Sequence, residues 1–83
     1  MQYYIDTIEQ IKTDDGGLAE YGKREKESGT IEEVGAKFHT KIANVLNDIG
    51  EGKKHTYMDI KITNSLGGCI EKYTCGRYED IDA

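Results

Sequence analysis

Proline is absent from this sequence, cysteine occurs twice, and no apolar run approaches the ~20 residues that a membrane span requires. Without proline, chain reversals fall to glycine, of which there are ten, because glycine reaches positive φ without a steric penalty. No apolar secretion core follows Met1, since Asp6 and Glu9 interrupt the N-terminal stretch. The expectation is a cytoplasmic protein without a membrane partner, whose cysteines are thiols rather than a disulfide. Catalytic signatures are missing too. Gly67-Gly68 lacks the Lys-Ser/Thr that completes a phosphate loop, and no nucleophile, base and orienting carboxylate can be assembled, so an enzyme is not expected.

What is present is charge. Charged residues make up 33% of the 83-residue chain, the net charge is −5 and the pI is near 4.9. Residues 1–83 suit one small α+β domain, because a chain this size hides only about 60% of its unfolded surface. The acidic balance disfavours direct nucleic-acid binding, which needs clustered Lys and Arg. It suits solubility, or docking on a basic surface of another protein.

The strongest periodicity runs over Thr30–Ile49, TIEEVGAKFHTKIANVLNDI. At about 100° per residue, Ile31, Val34, Phe38, Ile42, Val45, Leu46 and Ile49 share an arc of roughly 120°. Thr30 and Glu33 have capping-box spacing, and Gly50 stands where a left-handed cap belongs. Gly35 lies inside the arc, either to let the backbone approach the sheet or Tyr4, or as a weak point. At the N-terminus, Tyr, Ile and Thr favour a strand, although Tyr4, Ile8 and Ile11 also fit a helix. Asp14-Asp15-Gly16-Gly17 reads as a turn. The segment LAEYGKREKE, with Leu18 and Tyr21 three apart, reads as a short charged helix whose basic residues are balanced by glutamates.

Past the helix, HTYMDIKIT alternates cleanly and CIEKYTCGRY follows after Asn64-Ser65-Leu66-Gly67-Gly68. Pairing Ser65 with Gly68 sets Met58 opposite Cys75 and Ile60 opposite Tyr73. Residues 79–83 read as an acidic frayed tail. The expected fold is a two-layer α+β sandwich in which a three-stranded antiparallel sheet, the N-terminal strand plus the C-terminal hairpin, packs on the main helix.

Two sets of residues are candidates for a site. His55, Cys75 and Cys69, with His39, are soft metal ligands. Cys69 and Cys75 on one strand lie about 20 Å apart at 3.3 Å per residue, too far to share a zinc ion or a disulfide unless the strand breaks. The pairing least opposed by geometry is His55 with Cys75 across the hairpin. The second set is a protein-binding surface: Tyr57 and Asp59 on the polar face of their strand, Tyr3 as the N-terminal tyrosine, and the acidic end at Glu79 and Asp80. Tyrosine offers large, rigid contact area with a polar tip.

The leading functional expectation is a non-enzymatic protein-binding module that blocks a basic, nucleic-acid-binding surface of its partner. In size and charge the chain is similar to the small acidic proteins that phages use against bacterial defence, anti-CRISPR proteins among them, a likeness that covers no defined residues. The alternatives are a zinc-stabilised small domain and a small-ligand binder or subunit of a larger assembly. An N-terminal edge strand pairing with a second copy is the route to a homodimer.

Overall fold

Two Gly-Gly turns and one capped helix divide the chain into its elements. The computed structural model describes residues 2–79, in the order β1 (Gln2–Lys12), β2 (Leu18–Ser28), α1 (Ile31–Gly50), β3 (His55–Asn64) and β4 (Cys69–Gly76). The strands pair antiparallel in one sheet ordered β2-β1-β3-β4. The architecture is α+β with one helix against an antiparallel sheet, but the sheet has four strands, not three.

The extra strand is the charged segment expected as a helix. β1 offers it a pairing partner along its whole length, from Gln2↔Ser28 to Lys12↔Leu18. Gly22 in its middle costs a helix about 1 kcal/mol relative to alanine. Charges are no obstacle at a sheet edge, where they stay solvated and discourage further pairing. With β2 outside it, β1 is an interior strand, which closes the route to a homodimer through an N-terminal edge strand.

Both hairpins close the same way. Thr13 N–H donates to Gly17 O (2.9 Å) and Gly16 N–H to Thr13 O (3.1 Å), while Asn64 N–H donates to Gly68 O and Gly67 N–H to Asn64 O (both 3.0 Å). In each loop the first glycine takes a φ of +85°, the left-handed position of a three-residue hairpin loop. The Asn64 side chain rigidifies the second loop by accepting the N–H groups of Leu66 (3.0 Å) and Gly68 (2.9 Å). Met58↔Cys75 and Ile60↔Tyr73 pair as expected, but a bulge after Ile62 shifts Thr63 onto Cys69. Ser65 therefore lies in the loop and not in the ladder.

Helix α1 starts as its sequence dictates, with Thr30 and Glu33 forming both halves of the capping box. It ends one residue later than expected: Gly50 is helical and the left-handed residue is Gly52 (φ +69°). Lys53 N–H then reaches Asp48 O and Gly52 N–H reaches Ile49 O (both 3.0 Å), a Schellman closure. The buried stripe Val34, Phe38, Ile42, Val45 meets Ile5, Met58, Ile60, Ile62 and Cys75, with Tyr3, Ile31 and Ile49 at the margin. Leu46, at the edge of the arc, remains exposed.

Two glycines have opposite roles. At Gly76, φ is +77° and an added Cβ would lie 2.3 Å from Thr56 O, so this residue alone lets the chain turn off β4 against β3. At Gly35 an added Cβ would meet nothing within 4 Å, so it is a weak point and not a close approach. Gly76→Ala is expected to destabilise the fold by about 2–4 kcal/mol through clash and backbone strain. Gly35→Ala should stabilise it by about 0.5–1 kcal/mol. Thermal melts followed by circular dichroism should show Tm shifts of opposite sign, of the order of 10 °C down and a few degrees up.

Candidate functional site

Among the described residues no helix covers the face of the sheet turned away from α1, and the strand register lays its side chains in rows. Across the strands these rows read Lys26–Tyr4–Thr63, Arg24–Asp6–Lys61–Lys72, Gly22–Ile8–Asp59–Thr74 and Glu20–Gln10–Tyr57–Gly76. The second row is locked by a bidentate pair, Arg24 Nε to Asp6 Oδ1 (2.6 Å) and Nη2 to Oδ2 (2.9 Å). The same guanidinium lies 4.8 Å over the Tyr4 ring, a cation–π contact that further fixes its plane. In the third row Thr74 donates to Asp59 at 3.1 Å. Because Gly22 has no side chain, Ile8 floors an open depression of about 370 Å³ bordered by Asp6, Arg24, Asp59 and Lys61.

The fourth row is covered by the chain's own C-terminal segment. After the Gly76 turn, Arg77 N–H donates to Thr56 O (2.8 Å), and the segment crosses β3 to reach β1 and β2. Gln10, fully buried, holds it there: its Nε2 donates to Glu79 O (2.7 Å), and its Oε1 accepts Glu79 N–H (2.8 Å) and the Thr56 hydroxyl (2.8 Å). The side-chain amide thus pairs with a backbone amide as a neighbouring strand would. Tyr78 packs edge-on against Tyr57, with centroids 5.3 Å apart and planes at 89°, and its hydroxyl donates to Glu20 at 2.6 Å. Burial, with the nearby Asp59 and Glu20 carboxylates, lifts the Tyr57 phenol above its usual pKa.

Tyr57, Asp59 and Glu79 therefore share one region of the open face. Of the N-terminal pair, Tyr3 turns to the helix side and packs against the core, so Tyr4 is the tyrosine on the open face. Asp80 lies outside the described residues. The sequence-proposed metal ligands are not brought together. The bulge turns Cys69 out opposite Thr63, whereas Cys75 is buried opposite Met58 on the helix side, where burial raises its thiol pKa. His55 instead joins a polar chain beside α1. Its Nδ1 lies 2.7 Å from Asp48 Oδ2, its Nε2 3.6 Å from Glu9, and Glu9 pairs with Lys41 at 2.7 Å. Asp48 also accepts the His55 backbone N–H (2.8 Å), and these bonds hold its carboxyl below the usual pKa. Among the described residues no group of three or more His, Cys, Asp or Glu side chains could hold a metal ion.

No family model, curated protein or solved structure matches the chain. Its site must be read from its own side chains, and three of these escaped the sequence reading. Glu20 carries no local signal because its segment has the pattern of a short charged helix. Gln10 and Tyr78 gave no signal, since each acts through a contact some 58 to 69 positions distant.

The Arg24 pair gives the open face a pH dependence. Hydrogen bonding and attraction from Arg24 hold the Asp6 pKa below its ordinary 3.8, so the pair's contribution is complete above that value and is lost as pH falls through the folded-state pKa. With Arg24 largely exposed, solvent screening keeps that contribution small. Asp6→Asn should therefore lower stability slightly at pH 7 and flatten the loss of Tm as pH falls below 3.8 relative to the parent.

Proposed function

We propose that this chain is a non-enzymatic binding module that docks on a basic surface of another protein through the open face of its sheet. The observation that carries this reading is the corner where Tyr57 and Tyr78 pack edge to face, with the Glu20 and Asp59 carboxylates beside them and the Glu79 backbone held on Gln10. Rigid aromatic area framed by carboxylates matches cationic side chains, because tyrosine supplies contact at low entropic cost and acid groups supply steering. The middle of the face is mixed in sign, with Lys61 and Lys72 in one row. The corner itself carries the Glu20 and Asp59 carboxylates.

In its finer form the reading is that of an inhibitor. Carboxylates at the corner, continued in sequence by Asp80 and Asp82, compete for a groove that otherwise holds phosphates, in the manner of anti-CRISPR proteins and other small acidic counter-defence proteins. Such competition is electrostatic, so it weakens as salt screens it.

The test is affinity capture from cell lysate with the parent chain and with Tyr57→Ala/Glu20→Lys, followed by a salt titration on each captured protein. Loss of a hot-spot tyrosine and reversal of one charge should weaken binding by about tenfold or more, and parent affinity should fall steadily from low to physiological salt. A partner held equally by both baits, or held independently of salt, would contradict the proposal.

A further inference from the structure

The two edges of the sheet differ in character. β2 is charged over residues 23–27, with Arg24 and Lys26 on one face and Lys23, Glu25 and Glu27 on the other, the pattern that keeps an edge from pairing, while Tyr21 is exposed in its first half. β4 carries Glu71 and Lys72 but also Tyr73, which is 40% exposed. The helix adds a second apolar group beside it. His39 Nε2 lies 3.5 Å from Glu71 and Ile49 Cδ1 sits 3.0 Å from where a Gly76 Cβ would be, so the stripe from His39 to Ile49 runs along β4. From His39 to Leu46 is about 10 Å of helix, and from Glu71 to Thr74 about 10 Å of strand. Leu46, 42% exposed, is therefore level with Tyr73 and Thr74.

The phase of the ladder identifies the free backbone groups. Arg77 N–H donates to Thr56 O, in the same register as Met58↔Cys75 and Ile60↔Tyr73. From Glu71 onward the odd-numbered residues of β4 thus turn their N–H and C=O groups toward β3, and those of Lys72 and Thr74 point out of the sheet.

We infer that this edge binds a second copy of the chain, β4 antiparallel to β4, about a two-fold axis through Tyr73. In this register Lys72 and the partner's Thr74 exchange backbone hydrogen bonds, and the symmetry repeats the exchange. Tyr73 faces the partner's Tyr73 across a non-hydrogen-bonded pair, flanked on the helix side by Leu46 from each copy. On the open face Lys72 stands beside the partner's Thr74, whose hydroxyl is bonded to Asp59 in the same protomer, so ammonium and carboxylate share one row. An axis through Lys72 would set two ammonium groups directly opposite one another, which is unfavourable. The surface is self-complementary, as a two-fold interface must be, and it leaves the Tyr57–Tyr78 corner free.

The experiment uses the full chain. Tyr73→Cys in a Cys69→Ser background places two thiols in a non-hydrogen-bonded antiparallel pair with Cα atoms about 4.5 Å apart, within disulfide range. Under mild oxidation it should convert almost fully to a disulfide-linked dimer. Tyr21→Cys, an exposed position on β2, should stay monomeric in the same background. By sedimentation the parent should be dimeric at about 100 μM, and Tyr73→Lys should raise the dissociation constant about tenfold or more with its circular dichroism spectrum unchanged. A monomeric parent, equal crosslinking of Tyr73→Cys and Tyr21→Cys, or a dimer indifferent to Tyr73→Lys would overturn the inference.

Discussion

A single helix about 10 Å wide cannot roof a sheet of four strands set about 4.8 Å apart, and most of the molecule's character follows from that mismatch. α1 lies chiefly over β3 and touches β4 and β1 less. The core is correspondingly narrow: Phe38, Val34, Ile42 and Val45 above Met58, Ile60 and Ile62, with Ile5 and Cys75 to either side. β2 projects beyond the helix with both faces wet, which is why a strand of alternating lysines and glutamates is tolerated there. Among the described residues the opposite face of the sheet has no cover except residues 77–79.

Where apolar cover runs out, polar contacts take over. Lys37 pairs with Glu27 (2.7 Å) and Lys41 with Glu9 (2.7 Å), tying the flank of α1 to the overhanging strands. Asp48 ties the end of the helix to the first residue of β3 through both the backbone and the ring of His55. These links are partly solvated and each contributes modestly. Gln10 differs because it is buried: its Oε1 also accepts from Thr56, but its Nε2 donates to the Glu79 carbonyl, and a buried amide donor without a partner is costly. The same bond therefore settles where Tyr78 lies, and through Tyr78 it shapes the acidic aromatic corner.

Short-range chemistry was largely legible beforehand. The capping box at Thr30 and Glu33, the helical stripe, the alternation of residues 55–63 and the facing of Met58 with Cys75 all depend on neighbours in sequence or on one tight turn. The reading of β2 failed for a related reason. Its segment has weak helical signals and weak strand signals, and its partner β1 decided between them. A clue lay in the turns, since Thr13-Asp14-Asp15-Gly16-Gly17 and Asn64-Ser65-Leu66-Gly67-Gly68 end in the same glycine pair and build the same loop. The candidate site was half legible. Tyr57 and Asp59 follow from strand parity, but the choice between Tyr3 and Tyr4 depends on which face of β1 the helix covers.

By itself the sequence determined that the chain is a small acidic α+β domain with one capped amphipathic helix and a C-terminal hairpin, because periodicity, caps and turn residues act within a few positions of one another. Only the tertiary structure decided that the charged segment is a fourth strand, that β1 is interior, that Cys69 and Cys75 face opposite ways, and that the C-terminal segment crosses the sheet to Gln10. Each of these depends on a pairing partner or a bulge far along the chain, and no local pattern encodes which face a distant segment will cover.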